Sequence, residues 1–160
     1  MTSDTSMHVT SVRSVGAIAF LLCAIVCSAQ TTADAIPSVE KCRAIAHAVM
    51  SKIAEGDDRA ALELIRPHIH VDETQFNESR DRTLSERRNV PSRFGRLVGI
   101  KLIKEERVSD FLYRLTYVEK REIHLIRWQF TFYRPRSEWQ INSYTWDDKV
   151  FALFDQAQDE

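Results

Sequence analysis

The sequence predicts an α+β domain in which N-terminal helices pack on a curved antiparallel sheet of four or more strands. Three observations carry this. Apolar residues recur at helical spacing between Val39 and Ile53, the period changes to two after Leu97, and the gaps between the later apolar segments are short. The composition agrees. A chain of 160 residues that is 44% hydrophobic and 28% charged, with net charge −1, is an ordinary globular sequence. It excludes collagen-like, low-complexity and multi-span membrane proteins.

The first 29 residues read as an export signal. A polar start containing Arg13 precedes twelve residues without a charge, Val15 to Val26, and then Cys27-Ser28-Ala29 places small residues before a cut. A helix of twelve residues reaches only about 18 Å, against a hydrocarbon core of about 30 Å, so an uncleaved anchor fits less well. A second cut is offered after Ala35. Cleavage after Ala29 leaves 131 residues, Gln30 to Glu160, as a single domain that is periplasmic or secreted. A chain of that length buries about two-thirds of its unfolded surface, enough for one core without crosslinks. Cys23 and Cys27 leave with the signal, and Cys42 remains as a small apolar residue on a helical stripe.

Each element follows in order. Pro37-Ser38 starts a helix whose stripe is Val39, Cys42, Ile45, Ala46, Val49, Met50 and Ile53, and Gly56 stops it. Asp57 or Asp58 caps a short second helix holding Ala61, Leu62 and Ile65, closed by Pro67. A third helix starts at Asp72 with Phe76, Arg80, Thr83 and Leu84 along a thin seam, and Pro91 and Gly95 mark the passage out of it. Strands are expected over 97–105, 111–120, 124–133 and 139–147. Phe111, Tyr113, Leu115 and Tyr117 share one face of the second, and Ile126, Trp128, Phe130 and Phe132 one face of the third. Arg114, Thr116, Arg127, Gln129 and Thr131 form the polar opposite face. Trp139, Tyr144 and Trp146 break strict alternation, which a bulge near Asn142-Ser143 repairs. Asp147-Asp148 caps a terminal turn with Val150, Phe151 and Phe154.

The long first helix, the Ala54-Glu55-Gly56-Asp57 break, the second helix closed by Pro67, and the run Arg127-Trp128-Gln129-Phe130-Thr131-Phe132-Tyr133-Arg134-Pro135 resemble the NTF2-like (SnoaL-like, cystatin-like) superfamily. So do Glu138-Trp139-Gln140-Ile141-Asn142 and Trp146-Asp147-Asp148. The resemblance covers Val39 to Phe154 and implies a cone-shaped sheet with a pocket between sheet and helices, often dimeric through the sheet. It includes isomerases, dehydratases, ligand binders and interaction modules, so the fold alone does not choose an activity. The stretch from Ile69 to Val71 is too short for the extra hairpin many members carry, which argues against a deep, enclosed pocket.

Several constellations are candidates for chemistry. His47 lies beside the apolar stripe and points either into a pocket near Tyr113, Tyr117 or Tyr144 or along the helix edge. With Tyr113 and Asp147 it is the catalytic candidate for acid–base work on an enolisable or dehydratable substrate. Tyr113, Tyr117, Trp128 and Tyr144 are the ligand-binding candidates. His68 and His70, with Asp72 and Glu73 following, have donor types that suit zinc, or else form a polar loop after Pro67. Between Arg80 and Lys104 stand eight basic and two acidic residues, a stripe suited to a loose contact with an anionic envelope surface. Nucleic acid is not an expected partner for a chain acidic elsewhere. No nucleotide, nucleophile-elbow, thiol-redox or zinc-protease motif occurs, and no cofactor is expected. The leading expectation is an exported, non-enzymatic domain that binds a small apolar ligand or a protein partner. The alternatives are a cofactor-independent isomerase or dehydratase and a self-associating module, with any homodimer loosely held through the polar sheet face.

Overall fold

A computed structural model describes residues 33–154 of the chain. The export signal and its cut after Ala29 lie outside the described residues, as do residues 155–160. Among the described residues no helix is long and apolar enough to cross a membrane.

Helix α1 (Val39–Ala54) begins where the Ser38 hydroxyl accepts the Lys41 N–H at 3.3 Å, satisfying one of the orphan donors of its first turn. Its buried side is Cys42, Ile45, Ala46, Val49, Met50 and Ile53, the stripe read from the spacing. Burial pushes the Cys42 thiol up to about 12, so this cysteine is an inert core residue. Gly56, at φ +79°, ends the helix in the left-handed region that costs other residues most. Helix α2 (Asp58–Glu63) is capped by Asp57, whose carboxylate accepts from the Ala60 N–H at 3.0 Å. It stops before Pro67, which sits instead inside a separate 3-10 turn, Arg66–His68. Helix α3 (Glu73–Arg87) starts at Asp72, which accepts the Gln75 N–H at 2.8 Å.

The expected passage around Pro91 is itself helical, a short α4 (Val90–Phe94) with proline in its first turn, where a missing N–H costs nothing. Gly95 follows at φ +81°, and a Cβ there would meet the Glu122 Cβ at 2.9 Å, so the chain needs glycine on both counts.

The sheet is an antiparallel meander in the order β1 (Leu97–Val108), β2 (Leu112–Arg121), β3 (Leu125–Tyr133), β4 (Gln140–Asp147). The fold is therefore α+β, as the rhythm of the sequence predicts. β1 runs three residues beyond its expected end, and irregularities at Val98 and Ile103 leave those side chains exposed on an edge strand. Between β3 and β4 the register steps from Thr131 opposite Ser143 to Phe132 opposite Ile141, so Asn142 is the extra residue of the expected bulge. That step is what allows Ile141, Tyr144 and Trp146 to share one face.

This inner face (Tyr113, Leu115, Tyr117, Ile126, Trp128, Phe130, Phe132, Ile141) and the α1 stripe belong to one continuous apolar core. α1 packs on α2, β1 and β2. Two expectations fail at the margins. Phe111 lies before β2 and is 43% exposed, packed edge-on against Tyr133 rather than in the core. Thr116, on the polar outer face, is buried, with the Gln129 amide donating to its hydroxyl at 3.3 Å.

Candidate functional site

His47 does not enter the core. It is on the exposed side of α1, its Nδ1 3.4 Å from the Ser51 hydroxyl, because positions 46 and 49 take the buried stripe and 47 is rotated off it. Asp147 also fails to join Tyr113. It stands opposite Arg127 on the outer sheet face and accepts from that guanidinium at 3.1 and 2.6 Å, whereas Tyr113 faces inward opposite Phe132. The alternation of β-strands puts them on opposite sides of the sheet.

Tyr113 has a different carboxylate partner. Its hydroxyl donates to Glu105 Oε2 at 2.8 Å, and Arg43 grips the same carboxylate with Nε at 2.8 Å and Nη2 at 2.6 Å. The Arg107 guanidinium lies 5.4 Å from the Tyr113 ring centre. The Arg43 hydrogen bonds hold the Glu105 carboxyl below its usual range, against the smaller opposing effect of burial. Burial first, then the hydrogen bond to Glu105, pushes the Tyr113 phenol upward. The two groups are driven apart, Glu105 toward a weaker base and Tyr113 toward a weaker acid, opposite to what proton transfer near neutrality needs.

The remaining aromatic candidates are core. Tyr117 and Trp128 are 2% and 0% exposed, with the Tyr117 ring edge-on to Phe130 at 6.1 Å. Tyr144 is half-buried, its hydroxyl 3.4 Å from Ser79 Oγ. His68 and His70 do not point to one side of a strand. His68 belongs to the 3-10 turn with Nδ1 3.1 Å from the Asp34 carbonyl, and His70 is exposed after Ile69, which bridges to Ile141. Among the described residues no group of three or more His, Cys, Asp or Glu side chains is placed to hold a metal ion.

Part of the basic stripe is taken up in ion pairs. Arg80 is tied to Glu63 and Asp81, and Lys104 lies 3.3 Å from Glu106. Arg87 turns inward, where spacing alone did not expect it. Its side chain is 2% exposed, with Nη1 2.9 Å from Glu119 Oε2 and Nη2 2.9 Å from Asp58 Oδ1. The Asp58 approach is close but out of line for a hydrogen bond, and among the described residues Arg87 Nε has no hydrogen-bond partner. Glu119 is fully buried and also receives the Trp128 indole N–H at 3.0 Å and the Arg121 guanidinium, whose Nη1 donates to the Gly95 carbonyl. Arg87 lies 5.2 and 5.5 Å from the rings of Trp128 and Trp146, themselves stacked at 6.1 Å. Burial alone would raise the Glu119 carboxyl. The charge and hydrogen bonds of Arg87, then Trp128 and Arg121, outweigh it and hold the group ionised below its usual range. This cluster ties α2, α3, β2, β3 and β4 together and leaves its carboxylate no open coordination for substrate. Glu119 and Arg121 continue the odd-numbered inner face begun by Tyr113, Leu115 and Tyr117, a signal present in the strand period.

An open groove of about 970 Å³ lies at the end of the sheet, between the β2–β3 hairpin and the 3-10 turn Val150–Leu153. Ile123, Leu125, Val150, Phe151 and Ala152 give it an apolar lining. Ile123 is 72% and Phe151 84% exposed, unusual for two large apolar side chains lining one groove. The hairpin is anchored from behind by the Ile123 N–H on the Phe94 carbonyl at 3.0 Å and the Glu122 N–H on the Arg96 carbonyl at 3.1 Å. His124 joins the two walls, its ring tilted by 30° against Phe94 at 5.4 Å and its Nε2 3.2 Å from the Asp148 carbonyl. The sequence marked Val150 and Phe151 as a turn but gave no reason to bring them to residues 120–125. No family model, curated protein sequence or solved structure matches this chain.

Proposed function

We propose that the protein is a non-catalytic binding module of NTF2-like type that engages a small apolar ligand, or an apolar segment of a protein partner, through the groove at the hairpin end. The observation that carries this reading is a contrast. The aromatic side chains that β2 and β3 place on the inner sheet face are packed to 0–2% exposure, while Ile123 and Phe151 are left open at the sheet's end. An apolar concavity with a few polar groups is the usual form of a ligand site. The helices-then-meander order supports the NTF2-like assignment, and the twelve-residue apolar run before Ala29 supports export. The acid–base alternative has only the Tyr113–Glu105 pair in its favour, and that pair is pinned by Arg43.

The neutral dye Nile red tests this directly. Its fluorescence is expected to rise and shift to the blue on adding the protein, with the enhancement falling several-fold in Phe151→Asp. Phe151 is 84% exposed, so this change costs about 0.5 kcal/mol of stability or less. An enhancement that Phe151→Asp leaves unchanged, with the fold intact, contradicts the assignment of the groove.

A further inference from the structure

We propose that the groove takes a single-chain amphiphile with an anionic headgroup, its hydrocarbon along Ile123, Leu125, Val150 and Phe151 and its head between Lys120 and Lys149. This rests on the groove being the binding surface, and it assigns the chemistry of the occupant from the charges around the lining.

Two carboxylates and two lysines border the groove. Both carboxylates are already engaged. Glu122 accepts from Arg96 Nη2 at 2.6 Å, from its Nε at 2.9 Å and from its backbone N–H at 3.0 Å. Asp148 accepts from Arg93 Nη2 at 3.3 Å. Lys120 and Lys149 are exposed, and among the described residues neither ammonium has a carboxylate within ion-pair distance. Among the described residues, the rim therefore presents two unpaired ammonium groups beside a wall of aliphatic and aromatic side chains. A neutral apolar ligand makes no use of those cations, and a cationic one is repelled by them. A carboxylate or sulfate head at the rim is complementary to them, and the open apolar lining leaves room for a hydrocarbon tail. The volume of about 970 Å³ is ample, at the upper end of the roughly 300–1,000 Å³ found for small-molecule sites. Beyond Phe154 the sequence adds Asp155, Asp159 and Glu160, which lie outside the described residues, so binding is measured on the chain that retains them.

The experiment is a calorimetric comparison of dodecanoate, dodecanol and dodecyltrimethylammonium, each below its aggregation limit, at low salt. Dodecanoate is expected to bind about fivefold tighter than dodecanol, as one favourable charge contact at a surface allows, and the cationic amphiphile weakest. Added salt should narrow that ratio. In the double variant Lys120→Gln, Lys149→Gln, dodecanoate should fall to within about twofold of dodecanol, while dodecanol itself is unaffected. Equal binding of all three amphiphiles, or a double variant that keeps the preference, overturns the anionic headgroup and leaves the apolar groove standing. Failure of all three to bind overturns both the headgroup and the groove. Binding confined to vesicles of anionic phospholipid, with no uptake of monomeric dodecanoate, also overturns the proposal, in favour of a lipid surface.

Discussion

Glu119→Gln is expected to be the most damaging conservative substitution in the chain, lowering stability by about 3–5 kcal/mol. The glutamate is fully buried and is the one carboxylate that meets Arg87, Arg121 and the Trp128 N–H together. Removing its charge leaves Asp58, out of line, as the carboxylate beside Arg87 among the described residues, and leaves Arg121 with the Gly95 carbonyl. A domain's total stability is only about 5–15 kcal/mol, so the midpoint of thermal unfolding should drop by roughly 10–20 °C. Arg87→Met should cost less, because Arg121 and Trp128 still cover the carboxylate. Acidity gives the same group a second signature. Its folded pKa is depressed, so its contribution is complete above about pH 4.3, the value in the unfolded chain, and is lost as pH falls through the folded value. Urea midpoints of wild type and Glu119→Gln should therefore be far apart at neutral pH and converge in acid. A gap that stays constant down the pH range contradicts a stabilising, ionised Glu119.

Trp128→Ala carries the other large effect, also about 3–5 kcal/mol. The indole is fully buried, stacked on Phe130 at 6.2 Å and Trp146 at 6.1 Å, and it supports the Arg87 guanidinium at 5.2 Å. Alanine removes the ring and the donor to Glu119 at once. Trp128→Phe keeps most of the ring and should cost only the unsatisfied acceptor, about 1–3 kcal/mol. Because Trp128 and Glu119 touch, the double variant Trp128→Ala, Glu119→Gln should lose less than the two single losses added. Urea unfolding of the four proteins measures the coupling directly. Strict additivity would mean that the N–H donor at 3.0 Å contributes nothing to the cluster.

The elements whose signal is periodic were legible in the sequence. The α1 stripe from Cys42 to Ile53, the change of rhythm at Leu97 and the Asn142 bulge all follow from where apolar side chains must go. What escaped was polar or assembled from distant segments. Glu119 and Arg121 sit on the inner face in plain alternation with Tyr117, yet a glutamate reads as outward unless its partners are known, and Arg87 is 32 residues away on α3. Phe111 alternates with Tyr113 and so reads as inward, but the turn that begins at Ser109 includes it and the strand starts only at Leu112. The candidate site was the least legible part. Tyr113, Tyr117 and Trp128 looked like cavity linings because aromatic residues at strand spacing suit a core and a pocket equally well. The groove joins residues 120–125 to 148–152, and no local pattern announces that meeting.

The proposed function requires binding at the sheet's end rather than beneath the sheet. Amide shift mapping of isotope-labelled protein titrated with dodecanol tests this most directly. Shifts are expected to concentrate at residues 120–125 and 148–152. Shifts centred on Tyr113, Tyr117, Trp128 and Tyr144 would place the ligand between helices and sheet and contradict the proposed function.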